Sequence, residues 1–356
     1  LRQTLRREEA LIPKGVTWIQ EAAADFHPDE NVVQLESGRR LGYNFLVVCP
    51  GLQLDWGKIE GLMDTLGRNG VCSNYSGVGT EYTWECLRAF RGGTALFTQP
   101  PMPIKCAGAP QKIMYLAADR WRRRKQAASL NIEFCLAGDV LFGVPYFVPP
   151  LQAAVDDYGI NLRYKNNLVA VDGGAKTATF DVVGPAGTKS RITRKFEMIH
   201  VTPPQSSPDF IKRSPLANEA GWVAVDAATL QHPHWSNVFA LGDAAGTANS
   251  KTAAAVRLQA PVVVRNLLAV ADRRTPSAAY DGYGSCPLTT AYGKVILAEF
   301  IYGGKVAPSF PFDPQLPRRS AWFLKTRLLP FLYWHVMLRG SEFDIKHKER
   351  HIAGAA

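Results

Sequence analysis

Short apolar runs broken by glycine, proline and charged residues dominate the chain. Residues 16–19 and 32–35, the latter followed by the polar stretch 36–40, predict short strands of a hairpin or meander. Residues 45–49 form a continuous apolar run closed by Pro50-Gly51. That is the pattern of a buried parallel strand ending at the carboxyl edge where α/β sheets bind ligands. A strand at 94–98, a proline-rich turn at 99–103, a helix from about 110 to 123 and a strand at 131–136 make a βαβ unit with a parallel sheet. Strands are also expected at 161–171, 177–183 and 196–201, as an antiparallel layer on that second unit. A buried strand returns at 238–241 and runs into Gly242-Asp243. Residues 252–270 then follow a helical period, which Pro261 is expected to kink. The run Arg122-Arg123-Arg124-Lys125 closes its helix with charge that complements the dipole and faces water.

Composition narrows the class. A chain of 356 residues suggests two domains or an interleaved pair. With 46% hydrophobic residues, 24 Pro and 30 Gly, coiled coil, collagen and wholesale disorder are excluded. No run of 18 apolar residues occurs, so no membrane-spanning helix is predicted. The chain starts at Leu1, and residues 1–14 carry no secretory pattern, so a fragment or trimmed product is expected. Net charge is +10, but unevenly placed: residues 318–350 hold eight Lys/Arg against three Asp/Glu. That charge is interleaved with aromatics, among them Trp322, Phe323, Phe331, Tyr333 and Trp334. The mixture suits the surface of an anionic bilayer better than nucleic acid. The plainer reading is a buried C-terminal helix with a solvated basic edge.

The six cysteines (Cys49, Cys72, Cys86, Cys106, Cys135, Cys286) contain no C-x-x-C and no zinc spacing, so no metal site is expected. Two have unusual surroundings. Cys106 lies between a strand and a helix start with Lys105 beside it, and both neighbours favour the thiolate. Cys286 lies in the turn-rich stretch 280–287, read as a loop before the apolar run 295–300, where unpaired cysteines are uncommon. Two unrelated buried thiols remain the simpler alternative. No G-x-G-x-x-G loop follows any strand, and the loop 101–108 offers prolines and a lysine where a pyrophosphate needs glycines. A nicotinamide dinucleotide is not expected there. Asp243 at a strand end suits the hydroxyls of a polyol such as a ribityl chain, or else is an ordinary N-cap. Lys251 and Thr252 open the following helix, where Lys251 is a candidate for stabilising charge on a reduced ring. Cys49-Pro50-Gly51 brings backbone toward the same place.

Taken together, residues 103–112, 200–204, 237–243, 250–255, 280–287, 296–300 and 329–334 resemble the sulfide:quinone oxidoreductase family, within the flavoprotein disulfide reductase superfamily. The likeness is to the branch holding the mitochondrial enzyme and its bacterial relatives. It implies an α/β fold of two Rossmann-like, FAD/NAD(P)-binding-type domains, the first interrupted by the second, plus a C-terminal amphipathic membrane-facing module. The expected division is 1–92 and 226–300 for the FAD domain, 93–225 for the second domain and 301–356 for the module. The first domain is expected to lack its N-terminal βαβ and its G-x-G-x-x-G. The resemblance further implies FAD, with Cys49, Pro50, Gly51, Gly242, Asp243, Lys251 and Thr252 as its contacts. It makes Cys106 and Cys286 the redox pair, bridged by sulfur, and puts Phe331, Tyr333 and Trp334 on the quinone side. Implied partners are sulfide, quinone, a small sulfur acceptor such as glutathione or sulfite, and a membrane surface, either bacterial cytoplasmic or mitochondrial inner. Nucleic acid is not among them. His200 is a candidate proton carrier, although a structural histidine is the heavier reading. The competing functions are an NADH:quinone-type flavin dehydrogenase and a non-catalytic, flavin-free remnant.

Overall fold

The computed structural model describes residues 4–77, 79–125, 130–248, 250–341 and 346–349. The chain enters with an antiparallel meander of β1 (Ala23–His27), β2 (Val32–Leu35) and β3 (Arg40–Gly42). Residues 16–19, expected as a strand, are irregular. Val16 and Trp18 are 56% and 40% exposed, so the apolar run has no core to face. The strand expected at 45–49 is β4 (Leu46–Val48), and β5 (Gln53–Leu54) and α1 (Leu62–Thr65) follow it.

Next come β6 (Val71–Cys72), α2 (Gly79–Ala89), β7 (Gly93–Gln99), α3 (Ala109–Arg123), β8 (Leu130–Leu136), α4 (Val148–Tyr158) and β9 (Asn161–Arg163). The antiparallel layer is β10 (Asn166–Asp172), β11 (Thr177–Val183) and β12 (Lys189–Lys195). The strand β13 (Met198–His200) then returns to the parallel sheet, whose order is β6-β13-β7-β8-β9. Two expectations change here. Residues 161–163 and 198–200 belong to the parallel sheet rather than the antiparallel layer: 161–163 pair as its edge strand with β8, and the buried Met198, Ile199 and His200 pair between β6 and β7. Residues 71–72, before the expected boundary at 92/93, also pair into this sheet. β7 and β8 are buried almost continuously, as parallel strands covered on both faces are. The helix α3 starts on Pro110, ends on Arg120, Arg122 and Arg123, and buries Met114, Tyr115 and Trp121 against the sheet.

The strand β14 (Gln205–Ser206) pairs with β5, and α5 (Asp209–Lys212) follows. Through β15 (Val238–Ala240), parallel to β4, the chain rejoins its first unit. A 3₁₀ turn (Gly242–Ala244) leads to α6 (Ala253–Ala271), where the Thr252 hydroxyl caps Ala255 N at 3.2 Å. At 19 residues and a mean hydropathy of 1.3, α6 is long and apolar enough to cross a bilayer, although the sequence holds no 18-residue apolar run. It is bonded into the protein instead: Gln259 accepts from Gly242 N at 2.8 Å, and Asn266 donates to the carbonyls of Thr229 and Ala278. The helix also runs unbroken through Pro261.

The hairpin β16 (Gly284–Ala291) and β17 (Lys294–Phe300) corrects the reading of Cys286. This cysteine lies within β16, paired opposite Ala298 and fully buried, not in an exposed loop. The apolar run of β17 needs a partner strand, and residues 284–291 supply it. The module ends with α7 (Arg319–Phe323), a π turn at Leu324–Leu328 and α8 (Leu329–His335).

Helix α3 packs directly on β16. Gly108, the residue before α3, has no room for a side chain: a Cβ there would stand 2.1 Å from Leu288 Cδ2 and 3.7 Å from Phe142 Cε2. Leu288 is itself buried and cannot swing away. Replacing Gly108 with alanine should cost about 1–3 kcal/mol of stability through overpacking. Thermal unfolding measures this, and an unchanged midpoint would mean that the contact is slack.

Candidate active site

The contact between α3 and β16 brings together two sulfurs from distant parts of the chain. Cys106 Sγ lies 4.0 Å from Cys286 Sγ. Cys106 is held by its backbone: its N–H donates to Lys251 O at 2.9 Å, and its carbonyl accepts from Ala109 N at 2.7 Å. Its φ is +50°, the left-handed region that non-glycine residues seldom occupy. Lys112, one turn into α3, puts Nζ 2.9 Å from Cys106 Sγ. From the C-terminal module, Lys325 donates to Pro287 O and to Thr289 Oγ1 on β16, beside the same sulfurs.

The two thiols are unequal. The hydrogen bond from Cys286, with Lys112 and Lys325 nearby, holds the Cys106 thiol well below its ordinary value despite burial. Donating that bond, together with full burial, pushes Cys286 well above it. Burial alone would lower Lys112, but the two sulfurs outweigh it and raise the ammonium. Lys325 is pushed down to about 8 by burial and by Lys112. The arrangement therefore favours one anionic sulfur, at Cys106, beside a protonated one.

Cavities open on two sides of Cys106. The first, of about 520 Å³, is mainly apolar and runs from Asp243, Lys251 and Thr252 past Cys106 to Leu324, Leu329 and Tyr333. Its floor carries Glu299, which accepts from Tyr283 Oη at 2.5 Å and from Ser309 Oγ at 2.6 Å. The second, of about 400 Å³, is lined by Asn74, Tyr75, Lys105, Lys112 and His200. Around it lie buried polar atoms with no hydrogen bond of normal geometry: Tyr75 Oη, His200 Nδ1, Thr202 Oγ1 and Gln205 Nε2. They cluster at the carboxyl ends of β6 and β13, where an α/β sheet receives its ligand.

The expected flavin contacts divide into two groups. Gly242, Asp243, Lys251 and Thr252 stand together, and all but Gly242 line the first cavity. Burial raises the Asp243 carboxyl, against the pull of Lys251 and Lys105. Lys251 Nζ is bound to the carbonyls of Asp243 (2.7 Å) and Ala245 (3.2 Å) and sits 3.6 Å from the centre of the Trp222 ring. The ammonium thus staples the turn 242–246 instead of pointing its charge into the cavity, and burial lowers it to about 8. Cys49, Pro50 and Gly51 end the neighbouring strand β4, outside the linings of both cavities. Of the three aromatics expected on the quinone side, Tyr333 lines the first cavity. Phe331 points outward, 57% exposed, and Trp334 lies under the Arg6 guanidinium at 4.6 Å. His200 Nε2 accepts from Asn74 N at 3.0 Å, and burial lowers the imidazole to about 4, so it is neutral near pH 7.

Sequence reasoning did not single out Lys112, Lys325, Tyr283 or Glu299. Lys112 stands six residues after Cys106, a spacing that places it on the turn of α3 facing back toward the helix start. Lys325 sits in the basic run read as membrane charge, and no local signal separates it from its neighbours.

The sequence match settles the family. Over 337 residues the chain is 43% identical to the mitochondrial sulfide:quinone oxidoreductase of Mus musculus, covering 95% of this chain and 74% of that protein. The chain belongs to the sulfide:quinone oxidoreductase family. The mitochondrial enzyme of Dictyostelium discoideum is 42% identical over 338 residues, with 94% and 74% coverage. The crystal structure of the sulfide:quinone oxidoreductase of Aquifex aeolicus shares the fold, with a TM-score of 0.67 at 16% identity over 91% of this chain and 76% of that one. No protein-family model matches the chain.

In this sulfide:quinone oxidoreductase site, removing the Lys112 charge should raise the Cys106 thiol toward its ordinary value, since Lys112 is one of the groups that hold it down. Thiolate absorbance titrated in Lys112→Met and wild type checks this. An unmoved titration would mean that Cys286 alone sets the thiolate.

Proposed function

We propose that this chain oxidises sulfide at the Cys106–Cys286 pair and delivers the electrons through FAD to a membrane quinone. The observation carrying the reading is the 4.0 Å approach of two sulfurs, one of them held by a lysine at 2.9 Å. The residues present fit a flavin. Asp243 and the helix-capping Thr252 line the first cavity together, one on the turn that leaves the strand and the other at the head of α6. Asp243, Thr252 and the turn at Gly242 would hold it, with Gly51 on the neighbouring strand. When bound, FAD supplies a two-electron acceptor that can pass its electrons to a quinone.

The chemistry of the sulfurs follows from their inequality. At 4.0 Å the two sulfurs are not joined by a direct disulfide, which needs about 2.0 Å. In the oxidised, sulfur-bridged pair, hydrosulfide attacks the Cys286 sulfur and forms a new S–S bond. The bond from Cys286 to the bridging sulfur breaks, and its electron pair stays on that sulfur, which remains on Cys106 as a persulfide anion held by the cations that also stabilise the Cys106 thiolate. Cys286 keeps the persulfide, and a nucleophile of the glutathione or sulfite class takes its outer sulfur. Lys112 and Lys325 hold whichever sulfur carries the negative charge.

The apolar wall Leu324, Leu329 and Tyr333 of the first cavity suits a quinone entering from a membrane. Exposed Phe323, Leu328 and Phe331 on the same segment support a peripheral membrane location. The two mitochondrial relatives favour the inner mitochondrial membrane over a bacterial one. The FAD domain is residues 1–92 and 226–300, the second domain 93–225 and the membrane module 301–356, with β6 pairing into the second sheet. An NADH-dependent reading is disfavoured by the turn into α3, which carries Lys105 and Cys106 where a pyrophosphate-binding turn needs glycines.

Cys106→Ser and Cys286→Ser should each abolish sulfide-dependent quinone reduction by the flavin-loaded protein, while NADH should reduce neither form nor wild type. Wild-type turnover in both variants would remove the cysteines from the mechanism. The alkaline limb carries a second test. Lys325 is cationic below about pH 8 and neutral above it, so its support for a sulfur anion is present at low pH and lost through that value. The rate should fall above about pH 8. Lys325→Arg, which keeps its charge, should move that limb upward. An unshifted limb would assign it to another group, of which Lys251 is the first to examine.

A further inference from the structure

A third cavity, of about 400 Å³, lies away from the sulfurs, between the N-terminal segment and the end of the C-terminal module. Arg6, Leu11, Trp334, His335, Leu338 and Arg339 line it, and among the described residues no acidic one does. Glu9, close by in sequence, is paired with Arg7 at 2.8 Å. The Arg6 guanidinium lies over the Trp334 ring at 4.6 Å, and Phe331 packs at a tilt against His335, ring centres 4.9 Å apart. The rim is apolar and open to solvent: Leu5 is 62% exposed and Phe331 57%. Two segments more than 300 residues apart in sequence thus combine two arginines, an indole and a greasy edge in one hollow.

We propose that this hollow binds the headgroup phosphate of an acidic phospholipid, so that the protein selects anionic membranes by a defined site rather than by net charge. A guanidinium presents two parallel N–H donors to a phosphate, and two guanidiniums facing one hollow compensate the charge of such a headgroup. Tryptophan suits the boundary between headgroup and hydrocarbon, and Leu5 and Phe331 offer acyl chains a surface at the rim. The proposal rests on the membrane reading of the C-terminal module and adds the lipid class to it.

Co-sedimentation of the full, flavin-loaded protein with phosphatidylcholine vesicles, with and without added phosphatidylglycerol, tests the site. Wild type should bind the acidic vesicles more tightly. Arg6→Gln/Arg339→Gln, both at exposed positions, should lose roughly tenfold or more of that preference, as removing two surface arginines near an anionic leaflet predicts. Arg88→Gln/Lys189→Gln, which removes the same charge elsewhere on the surface, should keep it. Phe331→Ser should weaken binding to both vesicle types alike. A preference surviving in the Arg6/Arg339 variant, or lost equally in the Arg88/Lys189 variant, overturns the site while leaving membrane association intact. Wild type that binds neither vesicle overturns the membrane reading and the proposal together. Calorimetry with inorganic phosphate separates the sources: binding of free phosphate abolished by the Arg6/Arg339 change, without any vesicle preference, would make this a soluble-anion site and refute the lipid.

Discussion

The close approach of α3 to β16 positions everything else in the active site. Gly108 leaves a gap that Leu288 fills, and this contact fixes the start of the helix against the strand. Two residues before Gly108 is Cys106. Two residues before Leu288 is Cys286, on the same face of its strand because strand side chains alternate with a period of two. The steric fit of one glycine to one leucine therefore sets the separation of two sulfurs that are 180 residues apart. The backbone of Cys106 is pinned independently by Lys251 across the junction between the two units. Its left-handed φ is the local cost of turning from the loop into α3 while the thiol faces β16.

Around that pair the electrostatics are deliberately unbalanced. Lys112 and Lys325 are half-buried cations, and Lys112, which the sulfurs hold protonated, lowers the affinity of Lys325 for a proton. One negative sulfur relieves that strain, and a second would be costly in so dry a place. A site so arranged stores one anion well and passes it between two sulfurs without exposing it to water. Lys112 comes from the helix of the second unit, whereas Lys325 comes from the membrane module. Displacing the module would remove half of the compensating charge, so docking of the C-terminal segment is coupled to the chemistry through a single ammonium.

Much of this was legible in the sequence, and the misses have physical causes. The strands at 93–99, 130–136 and 238–240 and the helices after 109 and 253 announce themselves by period and by their caps. Cys106 and Asp243 were readable because a strand end and a helix start meet at each. Cys286 was placed in a loop because Tyr280, Gly282, Gly284 and Pro287 mimic turn chemistry, and only its pairing with β17 makes it a strand. Lys325 and Glu299 carry no local mark, since their importance comes from what the fold sets opposite them. The outward-facing Phe331 and the cavity-facing Tyr333 are two residues apart on one helix, a rotation that composition cannot resolve.

The placement of the two cavities separates the two halves of the reaction. Cys106 touches both, but the polar atoms around Lys105, Lys112 and His200 lie on one side, and the apolar wall of Leu324, Leu329 and Tyr333 lies on the other. A small anion is stabilised on the first side and disfavoured on the second, while a quinone has the opposite preference. In the proposed reaction, electrons and sulfur would thus leave Cys106 and Cys286 in different directions without a moving part. The membrane module makes this possible by contributing both the apolar wall and Lys325. In the proposed arrangement the same 17 residues would face lipid on one side of their helices and the sulfurs on the other. Anchoring that segment at its far end, where Arg339 meets Arg6 across the third cavity, would fix its rotation about the helix axis. That rotation decides whether Tyr333 or Phe331 faces the quinone.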